Sequence, residues 1–132
     1  MNPISKYIWT LLILFAANAL AFGQGEIIED VKNAIKTGSS KELTKFLNNN
    51  VDVTIDGNVE SYSKTQAEFA LRDFFKNNPP SSFTIVHQGS SKGGLPYAIG
   101  QYLTNNETYR VWMRIKQTDG RYLIHEISFI KE

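Results

Sequence analysis

The pattern of apolar and polar positions opens with two helical segments. In the first, apolar side chains recur at intervals of one, three and four residues and so share one helix face: Ile27, Ile28, Val31 and Ile35. Gly38 is a residue type that commonly follows a last helical turn. In the second, Ser39 and Glu42 have the spacing of a capping box, and the apolar stripe is Leu43, Phe46 and Leu47. The pattern predicts a pair of short amphipathic helices that ends at the asparagine run 48–50.

Strict alternation then predicts a short hairpin. Apolar side chains occupy every second position of residues 51–55, and Asp56-Gly57 is a tight-turn pair before a second strand over residues 58–63. We therefore expect two antiparallel strands here, with one apolar face.

The helical period returns in a third helix. Ser63 and Gln66 again have capping-box spacing, and Pro79-Pro80 stops the helix because proline lacks the backbone N–H that a helix needs. The side chains expected on its buried face are Ala67, Ala70, Leu71, Phe74 and Phe75.

Four segments with strand pattern close the chain: Phe83–Gln88, Tyr97–Thr104, Tyr109–Gln117 and Tyr122–Ile130. The last two connections are short enough to force antiparallel hairpins. Helices and strands in separate runs are typical of an α+β fold whose helices cover one sheet face. We predict three helices packed in a strongly curved, mostly antiparallel sheet.

The first 23 residues have the three-part pattern of a secretory leader. Lys6 precedes an almost unbroken apolar run over residues 8–17, and Ala19 and Ala21 have the spacing that a signal peptidase cleaves. A retained anchor is the alternative, but the run is shorter than the roughly 20 apolar residues of a spanning helix. We expect a cleaved signal peptide over residues 1–23, a single exported domain over residues 24–132 that is periplasmic or secreted, and no stable membrane anchor after cleavage.

Composition narrows the chemistry of that domain. The chain has no cysteine, which excludes disulfides, thiolate nucleophiles and cysteine metal sites. Loss of Lys6 with the leader leaves 13 basic and 13 acidic residues, so no net field attracts nucleic acid. The glycine-rich loop 90–94 lacks the pattern of a phosphate-binding loop, and two histidines without a third donor do not define a metal site. We expect no cofactor, no metal and no nucleic-acid partner.

A resemblance to a known family rests on particular segments: Phe-Phe-Lys-Asn-Asn-Pro-Pro at 74–80, His-Gln-Gly-Ser-Ser at 87–91, Tyr-Ala-Ile-Gly at 97–100 and Tyr-Arg-Val at 109–111. Over residues 26–131 the chain resembles the nuclear transport factor 2-like superfamily, in which three helices lie in a bent sheet and form a cystatin-like cone. More narrowly, it resembles the bacterial family domain of unknown function 4783. This resemblance implies a small exported bacterial protein with no assigned activity.

The candidates for acid-base chemistry are two histidines and two tyrosines. Simple alternation places His87 and His125 on the more apolar side of their strands, and Tyr97 and Tyr109 with the inward set. Enzymes of the resembling superfamily place acid, base and tyrosine groups inside the cone. The alternative is that each histidine is structural and satisfied by one hydrogen bond. Asp52 and Glu126 alternate to the solvent side, unless a bulge turns Glu126 inward.

The inward set also predicts a ligand pocket in the cone, lined by Phe74, Tyr97, Tyr109, Met113 and His87. Few ionisable groups belong to this set. A small apolar ligand is therefore the kind that we expect the pocket to bind.

A basic and aromatic stripe is predicted on the opposite sheet face, formed by Arg110, Trp112 and Arg114 with Tyr102 on the neighbouring strand. It could be a solvated face, or superficially a platform for single-stranded nucleic acid. Related folds use this face to dimerise, which makes Trp112 a candidate interface anchor.

Two functions follow as alternatives. The first is a non-catalytic module that binds a small apolar ligand or an envelope protein, or that forms a homodimer. The second is a small cofactor-free acid-base enzyme of the isomerase, cyclase or dehydratase type, with His87 or His125 as base. The positions of the histidines relative to tyrosines and carboxylates distinguish the two.

Overall fold

The computed structural model describes residues 25–91 and 93–132, so the expected leader lies outside the described residues. Three helices and six strands are present in that part of the chain. The helices are α1 (25–36), α2 (Ser40–Thr44) and α3 (Lys64–Asn77). The strands are β1 (Leu47–Ile55), β2 (Asn58–Ser63), β3 (Ser82–Ser90), β4 (Pro96–Leu103), β5 (Thr108–Thr118) and β6 (Arg121–Lys131).

Local capping fixes the helix ends. Gly38 follows α1 with φ of 68°, and the Ser39 amide donates to the Ala34 carbonyl at 3.0 Å, which satisfies an end carbonyl of the helix. The Ser39 hydroxyl then accepts from the Glu42 amide and caps α2. At α3 the reciprocal capping box of Ser63 and Gln66 is formed, as the sequence predicts.

The second helix is shorter than its apolar stripe predicts. The helix ends at Thr44, and Leu47 begins β1 instead of closing the helix. The Ile124 amide of β6 donates to the Phe46 carbonyl at 2.8 Å, and Leu47 pairs with Ile124. Leu47 is fully buried in this arrangement. Pairing with β6 therefore gives this part of the backbone hydrogen-bond partners and places the Leu47 side chain in the core.

The six strands form one curved, unclosed, mixed sheet in the order β2-β1-β6-β5-β4-β3. Every neighbouring pair is antiparallel except β1 and β6, which are parallel. The two tight turns that the sequence predicts, Asp56-Gly57 and Asp119-Gly120, each have two successive positive φ angles, as the favoured hairpin turns require. The α+β fold class is confirmed.

The core lies between the helices and one face of the sheet, which we call the inner face; the opposite face is the outer face. An aromatic cluster dominates this core, and its ring centroids lie 4.4 to 6.4 Å apart: Phe74, Phe75, Phe83, Tyr102, Tyr109 and Phe129. None of the helices in the described residues is long and apolar enough to cross a membrane.

Irregularities in the strand pairing decide which side chains reach the core. In β3 the register shifts between Ile85 and His87, and in β6 one residue, His125, is extra relative to β5. Each such bulge moves the residues beyond it to the opposite sheet face. Alternation counted from one end of these strands therefore assigns the wrong face at the other end.

Candidate functional site

A small apolar surface lies in the middle of the outer face. Trp112 is half-buried there, between Ile99 on β4 and the small side chain of Ser128 on β6. Ile130, paired with Arg110, leaves 48 % of its surface exposed beside it. These residues, Ile99, Trp112, Ser128 and Ile130, are called the outer-face patch below.

Charged side chains of both signs border the outer-face patch. Arg110 Nε lies 3.1 Å from Glu132 Oε1, and Arg114 Nη1 lies 3.7 Å from Glu126 Oε2. The Arg114 guanidinium also lies 5.0 Å from the centre of the Trp112 ring, a cation–π distance. The patch thus has an apolar centre and a rim with a cation and a carboxylate at each end, an arrangement typical of protein interfaces.

Tyr102 does not belong to this surface, and its predicted place in an outer-face interface is wrong. It is fully buried and pairs with Tyr109 on the inner face. On β4 the core side is formed by Ala98, Gly100 and Tyr102, and two of these residues are small, so the apolar phase of this strand is inconspicuous in the sequence.

The predicted pocket residues do not surround one cavity. Phe74, Tyr109 and Met113 are buried on the inner side, and the Phe74 ring lies 5.2 Å from the Tyr109 ring and 4.4 Å from the Phe129 ring between centroids. Their side chains pack into the core. Tyr97 lies on the outer face, because Ala98 takes the inner position of β4. The expected inward position of Tyr97 is therefore wrong.

His87 also lies on the outer face. The bulge after Ile85 pairs it with Ile99, an outer-face residue, instead of placing it with Phe83 in the core. Its Nε2 lies 2.9 Å from the Tyr97 hydroxyl oxygen, and the side chain is exposed. His125 is on β6, and β4 and β5 separate it from His87. The two histidines do not meet.

His125 occupies the bulge of β6 and is half-buried. Its Nε2 lies 3.2 Å from the Thr118 hydroxyl oxygen. Burial, and secondarily the positive charge of Lys116, lowers the pKa of its imidazole below the usual 6.5, which favours the neutral ring at neutral pH. The bulge leaves Glu126 on the outer face, where Arg114 is its partner.

Beside His125 the pairing of β1 with β6 is interrupted and a polar cleft is present. Leu47 pairs with Ile124 and Asp52 with Glu126, so four residues of β1 stand opposite His125 alone. The cleft has a volume of about 620 Å³. Its lining, which defines the polar cleft below, is Asn48, Asn50, Asp52, Ser61, Tyr62, Ser63, Gln66, Arg114, His125 and Glu126.

A second cleft of about 420 Å³ lies between the β1–β2 hairpin and α3, with Asp56, Glu60 and Asp73 in its lining. Nowhere in residues 25–91 and 93–132 do three or more histidine, cysteine, aspartate or glutamate side chains come together in a way that could hold a metal ion. The carboxylates of this second cleft therefore do not indicate a particular ligand.

Comparison with known proteins decides the family. The family model described as Domain of unknown function (DUF4783) matches residues 28–129. The chain belongs to the DUF4783 family. No match to a curated protein is found.

Solved structures agree with this assignment. A DUF4783 protein from Bacteroides uniformis is 34 % identical, with a TM-score of 0.74 over 79 % of this chain and 95 % of that one. One from Bacteroides ovatus is also 34 % identical, with a TM-score of 0.73 over 78 % and 93 %. An NTF2-like protein of unknown function from Silicibacter pomeroyi is 11 % identical, with a TM-score of 0.62 over 89 % and 98 %, which shows the shared fold.

The segments that carried the resemblance to DUF4783 have structural roles in this chain. The segment 74–80 ends α3 and places Asn78 beneath two buried tyrosines, whose hydroxyls donate to its backbone and side-chain oxygens. Tyr109, from the segment 109–111, is one of them. Gly100 lets the Phe83 ring pack against the backbone of β4, because a β-carbon there would overlap that ring. These contacts join the end of α3 to the sheet and bring β3 close to β4.

The residues of the polar cleft were not predicted as a site from the sequence. By its pattern the asparagine run 48–50 indicates the end of a helix, and alternation places Asp52 and Glu126 as separate acids on the solvent side. The signal that could have joined them is the run of three polar residues between buried Leu47 and Val51, since it breaks strand alternation.

Proposed function

We propose that this DUF4783 protein is an exported, non-catalytic binding module that associates with a second copy of itself through the outer-face patch. The observation that carries the proposal is the half-buried Trp112, which lies at the centre of an apolar surface with charged side chains of both signs around it. Tryptophan and arginine are the residue types most enriched among those that dominate binding energy at interfaces.

The packing of the interior supports a binding site on the protein surface and argues against a ligand pocket inside the cone. The residues expected to line a pocket are either packed into the core or lie on the outer face. A ligand that entered between Phe74 and Tyr109 would have to separate buried rings whose centroids lie 5.2 Å apart.

Charge complementarity favours a second copy as the occupant. Two copies that meet face to face are related by a two-fold axis in the interface plane. Depending on the direction of this axis, each rim of one copy meets either the opposite rim or the same rim of its partner. Each rim holds one arginine and one carboxylate, Arg110 with Glu132 and Arg114 with Glu126. Either alignment therefore gives every arginine a carboxylate across the interface, and the near-neutral net charge opposes association little.

The positions of the histidines support a non-catalytic module. His87 is exposed beside Tyr97 and does not reach an enclosed cavity, and His125 is separated from it by two strands. The acid-base enzyme remains the alternative function, and no pair of these candidates in the described structure shares an enclosed site.

Substitution of the central side chain tests the proposal. We expect the wild-type domain to be a dimer by sedimentation velocity and Trp112→Ala to raise its dissociation constant about 30-fold or more, because loss of a central anchor costs at least about 2 kcal/mol. The thermal midpoint of the wild type should also rise with protein concentration, and that of the variant should begin to rise only at about 30-fold higher concentration.

Phe69→Ala is the matched control. Phe69 is exposed on α3, and the Arg72 guanidinium lies 5.2 Å from its ring centre, so it repeats the aromatic–arginine arrangement outside the outer-face patch. This variant should remain a dimer. A wild-type domain that stays monomeric at high concentration, or a Trp112→Ala variant that dimerises as tightly as wild type, would refute the proposal.

A further inference from the structure

The polar cleft offers donors and acceptors that the described part of the chain leaves unused. Ser61 donates to one oxygen of Asp52 at 2.6 Å, and the other oxygen has no partner among the described residues. The side-chain amide of Asn50 likewise has none there, since only its backbone oxygen accepts, from Asn48 at 2.9 Å. These groups face a space large enough for a small molecule.

Two further side chains of the cleft, Gln66 at the start of α3 and Arg114 on β5, also have unused hydrogen-bond donors. Gln66 uses its side-chain oxygen to accept from the Ser63 amide at 3.0 Å, and this bond fixes the side chain while its NH₂ group has no partner among the described residues. On the opposite wall Arg114 reaches Glu126 at 3.7 Å, a loose contact that leaves other guanidinium N–H groups available.

The charge of the cleft disfavours anions. Two carboxylates, Asp52 and Glu126, stand against the single permanent cation Arg114. The lowered pKa of His125 keeps its imidazole neutral at neutral pH, so this ring adds no positive charge. An apolar ligand is disfavoured too, because the lining contains no aliphatic side chain, and its two aromatic rings, Tyr62 and His125, both have polar atoms.

We propose that the polar cleft binds a small neutral polyhydroxylated ligand of the size of a monosaccharide. A hydroxyl group both donates and accepts hydrogen bonds. The lining alternates acceptors, amides and donors at Asp52, Asn50, Gln66 and Arg114 in a way that suits adjacent hydroxyls. A primary amine would use the carboxylates and leave the amide and guanidinium donors unpaired.

The break in the β1–β6 ladder gives this site its place in the fold. Regular pairing would bring residues 48–51 against β6 and close the space, whereas the four-to-one mismatch holds the two strands apart there. Since Asn48 and Asn50 lie on the displaced segment and His125 on the opposing bulge, the same irregularity both opens the cleft and supplies part of its lining.

Titration followed by NMR tests the inference. D-glucose, D-galactose and N-acetyl-D-glucosamine are each added to the isotope-labelled domain, with ethanolamine and inorganic phosphate as cationic and anionic probes. We expect at least one sugar to give saturable shifts of the backbone amides at residues 48–52 and 61–66. Its affinity should not change between low and physiological salt, because a neutral ligand is not screened.

Neighbouring asparagines provide the variant and its control. Asn50→Ala should weaken sugar binding about tenfold, because it removes hydrogen bonds to the ligand. Asn49→Ala should leave binding unchanged, since Asn49 is exposed on the same segment and does not line the cleft. Both variants should melt like wild type.

Three results would overturn the inference. They are the absence of saturable shifts with all three sugars at millimolar concentration, shifts at these residues with ethanolamine or phosphate alone, and equal affinities of the two asparagine variants. Repeating the titration with Ile130→Asp, which places a charge in the outer-face patch at a residue outside the cleft lining, separates this result from dimerisation, because a monomer with an intact cleft should still bind.

Discussion

At the scale of single residues, Asn78 joins the end of α3 to the sheet. Its amide and its side-chain NH₂ both donate to the Phe74 carbonyl, at 2.8 and 3.2 Å, and so close the last turn. Its own oxygens accept from the Tyr102 and Tyr109 hydroxyls. Burial raises the pKa of both phenols, which therefore stay protonated and donate at neutral pH.

Removal of one of these donors should cost stability. Tyr102→Phe leaves the Asn78 carbonyl without its partner in the core, and we expect the free energy of unfolding to fall by about 1 to 3 kcal/mol. Urea denaturation followed by circular dichroism measures this. Tyr97→Phe is the control, because its hydroxyl bonds His87 on the outer face and its loss should cost less than about 0.5 kcal/mol. Equal effects of the two variants would contradict the role of Asn78.

Gly100 gives a second test at this scale. Gly100→Ala places a methyl group against the Phe83 ring and the Thr84 carbonyl, so either the ring or strand β4 must move. We expect a loss of about 1 to 3 kcal/mol in the free energy of unfolding, typical of an overpacked core. Gly25→Ala should show no loss, because nothing lies within 4 Å of a β-carbon at that position. A Gly100→Ala variant as stable as wild type would show that Phe83 repacks freely.

At the scale of elements, the helix caps and tight turns could be predicted because their signals are local. Ser63 with Gln66 and the pair Asp56-Gly57 specify their geometry within four residues. The faces of β3 and β6 could not be predicted, because a bulge depends on the partner strand. This is why alternation assigns His87 to the wrong face, and why it does not predict the polar cleft, which a mismatch between two strands far apart in sequence creates. Tyr102 lies on the regular strand β4, and its wrong face has another cause, the small inner residues Ala98 and Gly100.

The bulge in β6 predicts a dependence of stability on pH. The folded state lowers the pKa of His125, so the unfolded state binds its proton first as the pH falls. The contribution of His125 to the free energy of unfolding is fully present above pH 6.5, and it is lost as the pH falls through the lower pKa of the folded state. His125→Gln, which keeps a hydrogen-bonding side chain beside Thr118, should flatten this part of the profile.

Denaturation midpoints at a series of pH values between about 7.5 and 5 measure the effect. A slope that is unchanged in His125→Gln would assign the pH dependence to other groups.

At the scale of the whole molecule, the fold class and the family were both predicted and are confirmed. Periodicity predicted separate runs of helix and strand and a sheet that curves around the helices, and the resemblance supplied the cone. The pattern could not supply the parallel pairing of β1 with β6, since nothing local in either strand specifies a partner some 70 residues away. The leader and the export of the domain stay predictions.

The position of β6 in the sheet has a consequence for how the chain must be made. The sixth strand in sequence lies third in the sheet, between β1 and β5, so the β1–β2 hairpin has no other strand to join until β6 has left the ribosome. The ribosome adds some tens of residues between β2 and β6. While these residues are being added, Val51 and Val53 of β1, which are buried in the finished fold, stay exposed to water. The order of the strands therefore delays closure of the core until the last described strand arrives.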